Sequence, residues 1–154
     1  ANLFSRVTLK NGDRTGEVLI QPIVEGDVFH PRKGIAMRPT PLDGQPLVDA
    51  KHPDRRVYFA DWLTSPKNPY FAKALVNRVW RNYLGRGLVE AEDDLRETNP
   101  ATNPELLEAM SKDFIDNGYD VKRFMRQIMN SATYQRSSKP LPENLADDRF
   151  YSHY

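Results

Sequence analysis

The chain contains no cysteine, so disulfides, thiolate metal sites and thioether-linked haem are excluded within it. Histidine is scarce. His30, His52 and His153 are the only three; they lie in separate segments without a His-x-x-x-His pair, and a catalytic zinc is not expected. Also missing are a Gly-rich phosphate loop and a Gly-x-Ser-x-Gly nucleophile elbow, while Ser65, Ser111, Ser131 and the Ser137-Ser138 pair have no local partner pattern. No apolar run reaches the length needed to cross a bilayer, so no membrane span is expected in this chain.

The chain has 154 residues, which suits a single core. Its net charge of +1 conceals an uneven distribution, because residues 88–120 sum to −8 and residues 121–139 carry five positive charges and no negative one. An acidic middle flanked by basic helical segments can neutralise itself, which argues against a nucleic-acid partner.

Residues 1–52 hold short β-branched runs separated by Gly and Pro. The runs 4–9 and 17–23 flank Asn11-Gly12-Asp13 and predict an antiparallel hairpin, since Asn-Gly tolerates positive φ at both positions. A second, shorter hairpin is expected across Pro31-Arg32-Lys33-Gly34, and the proline-rich stretch 39–53 reads as a connector. Near residue 54 the period becomes helical. A short helix should end before Pro66. The central helix should then run over 68–85, with Asn68 as cap, Pro69 in the first helical position and Gly85 as left-handed stop.

Two apolar lanes, Phe71, Leu75, Val79, Tyr83 and Ala72, Val76, Trp80, Leu84, give the central helix a broad buried face; Lys73, Asn77, Arg78, Arg81 and Asn82 cover the remainder. Asn103-Pro104 repeats the cap and opens a helix stopped by Gly118. Asp120 caps the last, whose apolar face is Val121, Phe124, Met125, Ile128, Met129 and Ala132. The fold expected is α+β but mainly α: four or five helices in a bundle-like domain with a small N-terminal antiparallel hairpin. Residues 1–52 form the hairpin segment packed on the helical part, 53–139 the helical core, and 140–154 a truncated tail. The chain reads as an excised piece of a longer protein.

Residues 86–102 are irregular and long for a compact domain, which means they are either functional or pinned by polar contacts. Glu90, Glu92, Asp93, Asp94 and Glu97 there have the chemistry of a Ca²⁺ site or an acid/base pair. The spacing lacks the glycine and terminal glutamate of the twelve-residue calcium loop. The competing reading pairs these carboxylates with Arg78, Arg81, Arg86 and Arg96. No metal site and no catalytic residue is assigned.

The succession FHPRKG, DRRVYFADWLTSPKNPYFAKALVNRVWRNYLGRGLVE, DDLRETNPATNPELLEAMSKDF and GYDVKRFMRQIMNSATYQRSS closely resembles one family over about residues 28–138. This is the planctomycete-type domain of unknown function found near the C-terminus of large secreted proteins with cytochrome c modules. The matching positions are Asn77, Arg78, Trp80, Arg81, Gly85, Gly87, Asp94, Arg96, Asn99, Pro100, Asn103 and Pro104. The resemblance implies a periplasmic or secreted setting, covalent haem c on a separate module of the parent protein and none in this chain. It also implies other domains of the parent as partners, and a link to polysaccharide. It carries no catalytic assignment. The function expected is that of a non-catalytic interaction or scaffold domain, the alternative being a carboxylate-based hydrolase or Ca²⁺-dependent glycan site on residues 86–102.

The candidate site is a polar seam of Asn77, Arg78, Arg81, Asp93, Asp94, Arg96 and Asn99. Arg78 or Arg81 should pair with Asp93 or Asp94, and Asn77 or Asn99 should hydrogen-bond loop backbone, because a loop crossing a helix must place its own polar groups. Replacing Asp94 is costly if the seam is buried and cheap if it is exposed.

Overall fold

A computed structural model describes residues 2–14, 16–47 and 54–147. The fold is α+β and mainly α, with an N-terminal two-stranded antiparallel sheet and four helices among the described residues. The chain divides into two compact units, Ala1–Ser65 and Pro66–Tyr154.

The first unit begins with a 3-10 turn, Asn2–Phe4, followed by strands β1 (Val7–Asn11) and β2 (Val18–Pro22). Leu9 faces Ile20 and Asn11 faces Val18 across the pair. Asn11-Gly12 is therefore not a two-residue turn. Asn11 is drawn into the ladder, and Gly12 N–H donates to the Glu17 carbonyl at 2.9 Å across a wider loop. The second hairpin is a single bridge, Phe29 to Ala36, with Met37 N–H donating to the Val28 carbonyl at 2.8 Å. Gly34 closes its turn at a φ of 64°, a conformation that costs glycine little.

Helix α1 (Arg55–Leu63) is capped by Asp54, whose carboxylate accepts from Arg56 N–H at 2.9 Å. None of its residues is buried. Its fixings are aromatic and ionic: Phe59 lies 5.3 Å from Phe4 and 5.6 Å from Trp62, and Arg55 reaches Asp27 at 2.7 Å. Asp27 also receives Arg6 at 3.3 Å. The hydrogen bond from Arg55, ahead of the other causes, holds its carboxyl below the usual range.

The second unit holds α2 (Phe71–Leu84), α3 (Pro104–Asp116) and α4 (Val121–Met129) around one core. The central helix begins two residues later than the Asn-Pro signal suggests. Asn68 Oδ1 accepts from both Tyr70 N–H (2.8 Å) and Phe71 N–H (2.9 Å), so Asn68-Pro69-Tyr70 forms a turn that delivers the chain to the helix. Gly85 ends it in the left-handed region at a φ of 72°. Buried on α2 are Ala72, Val76, Val79, Trp80 and Leu84, with Leu75 and Tyr83 partly covered.

Asn103 caps α3 by accepting from Leu106 N–H at 3.0 Å, with Pro104 in the first turn, and Asp120 caps α4 by accepting from Arg123 N–H at 2.9 Å. The apolar face of α4 is narrower than its pattern predicts: Phe124 and Ile128 are buried, Val121 is exposed, and Ala132 lies beyond the helix end and is exposed. Arg123 ties α4 to α3 through Asp113 at 2.6 Å, and this hydrogen bond lowers the Asp113 pKa. Phe114 sits at the centre, 5.6 Å from Phe124 and 5.4 Å from Tyr119, with 1% of its surface exposed.

The two sets of apolar residues should therefore respond differently to truncation. Phe114→Ala is expected to lower the unfolding free energy by about 3–5 kcal/mol in denaturant titration, because it opens a cavity in the core. Leu9→Ala, at a strand position 70% exposed, should change it by no more than about 0.5 kcal/mol.

Candidate functional site

Residues 86–102 cross α2 with no regular structure of their own, and one side chain fixes their path. Asn77 is 0% exposed in the middle of α2. Its Nδ2 donates to the Val89 carbonyl at 3.0 Å, and its Oδ1 accepts from Val89 N–H at 3.0 Å. A carboxamide is the smallest side chain that offers a donor and an acceptor in one plane, so it satisfies both backbone groups of a buried residue at once. The same Nδ2 lies 3.5 Å from the Glu92 carbonyl.

Gly87 makes this approach possible. A Cβ built there would lie 2.5 Å from the Val89 carbonyl oxygen and about 3 Å from both terminal atoms of Asn77. Leu88 and Val89 are then pressed into the core. The loop's far end is tied to the same place, with Thr102 N–H donating to the Leu88 carbonyl at 2.7 Å and its Oγ1 at 3.2 Å.

Charged groups form an outer layer. Arg78 pairs with Asp93, Arg81 with Glu92 at 2.6 Å, and Arg86 with Glu90 at 3.1 Å. Asp94 does not reach the central helix's arginines: both its oxygens are taken by Arg96, at 2.6 Å each, two residues along the loop. That hydrogen bond lowers the Asp94 pKa and raises that of Arg96. A depressed carboxylate pKa stabilises the fold above the ordinary carboxylate range, and the contribution is lost as pH falls through the lowered value. Here the effect is small, since the Arg96 side chain is 75% exposed. Asn99 works within the loop, donating to the Glu90 carbonyl at 2.8 Å and the Asp94 carbonyl at 2.9 Å.

The seven residues of the seam thus separate into two groups. Asn77, Arg78, Arg81 and Asp93 join helix to loop, whereas Asp94, Arg96 and Asn99 hold the loop's own turns. Within the first group Asn77 bonds loop backbone, as expected, and its partner is Val89; Arg78 pairs with Asp93 and Arg81 with Glu92. The available signal was Asn77 itself, a poor helix former placed between Val76 and the Val79-Trp80 pair.

Four carboxylates of the loop, Glu90, Glu92, Asp93 and Asp94, are each held by an arginine. Among the described residues no three His, Asp or Glu side chains converge so as to hold a metal ion. Buried Ser111 donates to the Leu107 carbonyl and Ser131 to that of Ile128, each at 2.6 Å. His30 accepts at Nδ1 from Arg32 N–H (3.1 Å) and Lys33 N–H (3.3 Å), which shapes the turn of the second hairpin. His52 and His153 lie outside the described residues. Among those residues no helix is long and apolar enough to cross a membrane.

Residues 55–153 match the family PSD1, protein of unknown function (DUF1553), and the chain belongs to that family. No curated protein and no solved structure matches it.

The inner fastening should dominate the energetics. Asn77→Leu keeps the volume but strands the N–H and carbonyl of Val89, and should cost about 3 kcal/mol or more in chemical unfolding. Gly87→Ala should cost about 1–3 kcal/mol through its backbone clash.

Proposed function

We propose that this chain is a non-catalytic interaction domain of a larger extracytoplasmic protein, whose covalent haem c sits on a separate module. The observation that carries the reading is the use made of the polar loop. Four of its five carboxylates, all but Glu97, are neutralised by Arg78, Arg81, Arg86 and Arg96, and the amides of Asn77 on α2 and Asn99 in the loop are bonded to loop backbone. An acid/base pair needs carboxylates free to face a substrate, with pKa values set apart by their surroundings. Here they act as fasteners. A domain built this way presents a rigid surface for other domains of its parent protein. The haem module fits a different part of that parent, because a chain without cysteine forms no thioether.

The extracytoplasmic setting and the association with polysaccharide use rest on the family resemblance. The test is direct. The purified chain, titrated calorimetrically with Ca²⁺ and with neutral oligosaccharides, should give no binding heat and no shift in melting temperature, and should release no reducing sugar. Turnover of a glycoside that is abolished by Glu92→Gln or Asp93→Asn would overturn the reading in favour of a carboxylate-based hydrolase.

A further inference from the structure

Lys67 aside, the cations among the second unit's described residues fall into two sets. Lys73, Arg78, Arg81, Arg86, Arg96, Lys112 and Arg123 each meet a carboxylate. Lys122, Arg126, Arg136 and Lys139 meet none among the described residues, and all four are exposed. The unpaired set is confined to one continuous stretch, residues 121–139, which contains no Asp or Glu.

This arrangement works against the helix that carries it. Lys122 lies in the first turn of α4, at the positive end of the helix dipole, where an acidic residue would be favourable. It also stands four residues before Arg126, so two like charges share one lane of the outer face. Phe124 and Ile128 hold the opposite face in the core. Arg136 follows just past the helix: Gln135 N–H donates to the Ser131 carbonyl (3.1 Å) and its side chain to that of Met129 (2.6 Å), folding the turn next to Arg136 onto the end of α4.

We infer that the outer lane of α4, Lys122 and Arg126 with Arg136 beyond it, is a docking surface for an acidic polypeptide segment in extended form. The inference rests on the interaction-domain reading and names the surface and the chemistry of the partner. Charge complementarity selects a polyanion, and spacing selects a peptide. Successive lane positions on a helix are about 6 Å apart, and alternate residues of an extended strand, whose side chains share one face, are about 6.6–6.8 Å apart. Acidic residues at alternate positions therefore meet Lys122 and Arg126 in register.

The probe is a fluorescent peptide of alternating glutamate and serine, followed by anisotropy with the full chain. Binding should weaken as salt is added. Lys122→Glu and Arg126→Gln should each lower affinity about tenfold, a difference of about 1.4 kcal/mol, while Arg126→Lys retains binding. Lys122→Glu should leave the melting temperature unchanged or raise it, since it relieves both electrostatic costs in α4. This separates loss of docking from loss of folding. Arg96→Gln removes from the loop the same single charge that Arg126→Gln removes from α4, and should leave affinity unaltered.

Absence of binding at low salt would overturn the surface, as would an equal loss on Arg96→Gln, which would mark diffuse attraction. Tighter binding of polygalacturonate than of the peptide would overturn it too, in favour of an anionic polysaccharide. Glycoside turnover by the chain would instead remove the interaction-domain reading while leaving the peptide result as measured.

Discussion

The Asn77 carboxamide bonds both backbone groups of Val89 at the centre of the second unit, fully out of reach of water. Much else depends on that pair. A loop of seventeen irregular residues, 86–102, can bury Leu88 and Val89 against α2 only if their peptide groups are satisfied, since an unpaired buried group costs about 1–3 kcal/mol. The clamp removes that cost for Val89, and Thr102 removes it for the Leu88 carbonyl. Once both ends are tied, Asn103 is placed to cap α3, so the loop's anchorage also sets where the next helix begins.

Short polar side chains recur wherever the backbone leaves regular structure. Asp54, Asn68, Asn103 and Asp120 each satisfy N–H groups at or just before a helix start, and Asn99 satisfies two carbonyls inside the loop. The ion pairs lie outside this layer, and their exposure limits what they contribute. Functionally the distinction matters. Four of the residues whose composition suggests a catalytic or Ca²⁺ site fasten the loop, while the second unit's described cations without a carboxylate partner lie elsewhere, on α4 and the turn after it.

What was legible in the sequence followed from local chemistry. The four helices and the Asp120, Asn103 and Gly85 boundaries rest on caps and stops that act within a few residues, and they were read correctly. The α2 start was misplaced because Asn68 captures two amides ahead of the helix, so Pro69 sits in a turn. The hairpin expected about Asn11-Gly12-Asp13 is present, but its turn is wider than Asn-Gly, as Asn11 pairs with Val18 in the ladder. For the seam, residue types predicted contacts between charges; partner choice depended on reach, and Asp94 took Arg96 because it was nearer in the loop. The bond from Asn77 to loop backbone was legible, but not that its partner is Val89, because a backbone partner carries no sequence signature of its own.

Amide hydrogen exchange at Val89 tests the clamp most directly. Val89 N–H, bonded only through Asn77, should exchange as slowly as the most protected amides of α2, opening only when the whole second unit unfolds. Exchange of Val89 at the rate of exposed loop amides, such as that of Glu97, would contradict the account, for it would show that the loop detaches from the central helix while the helices stay folded.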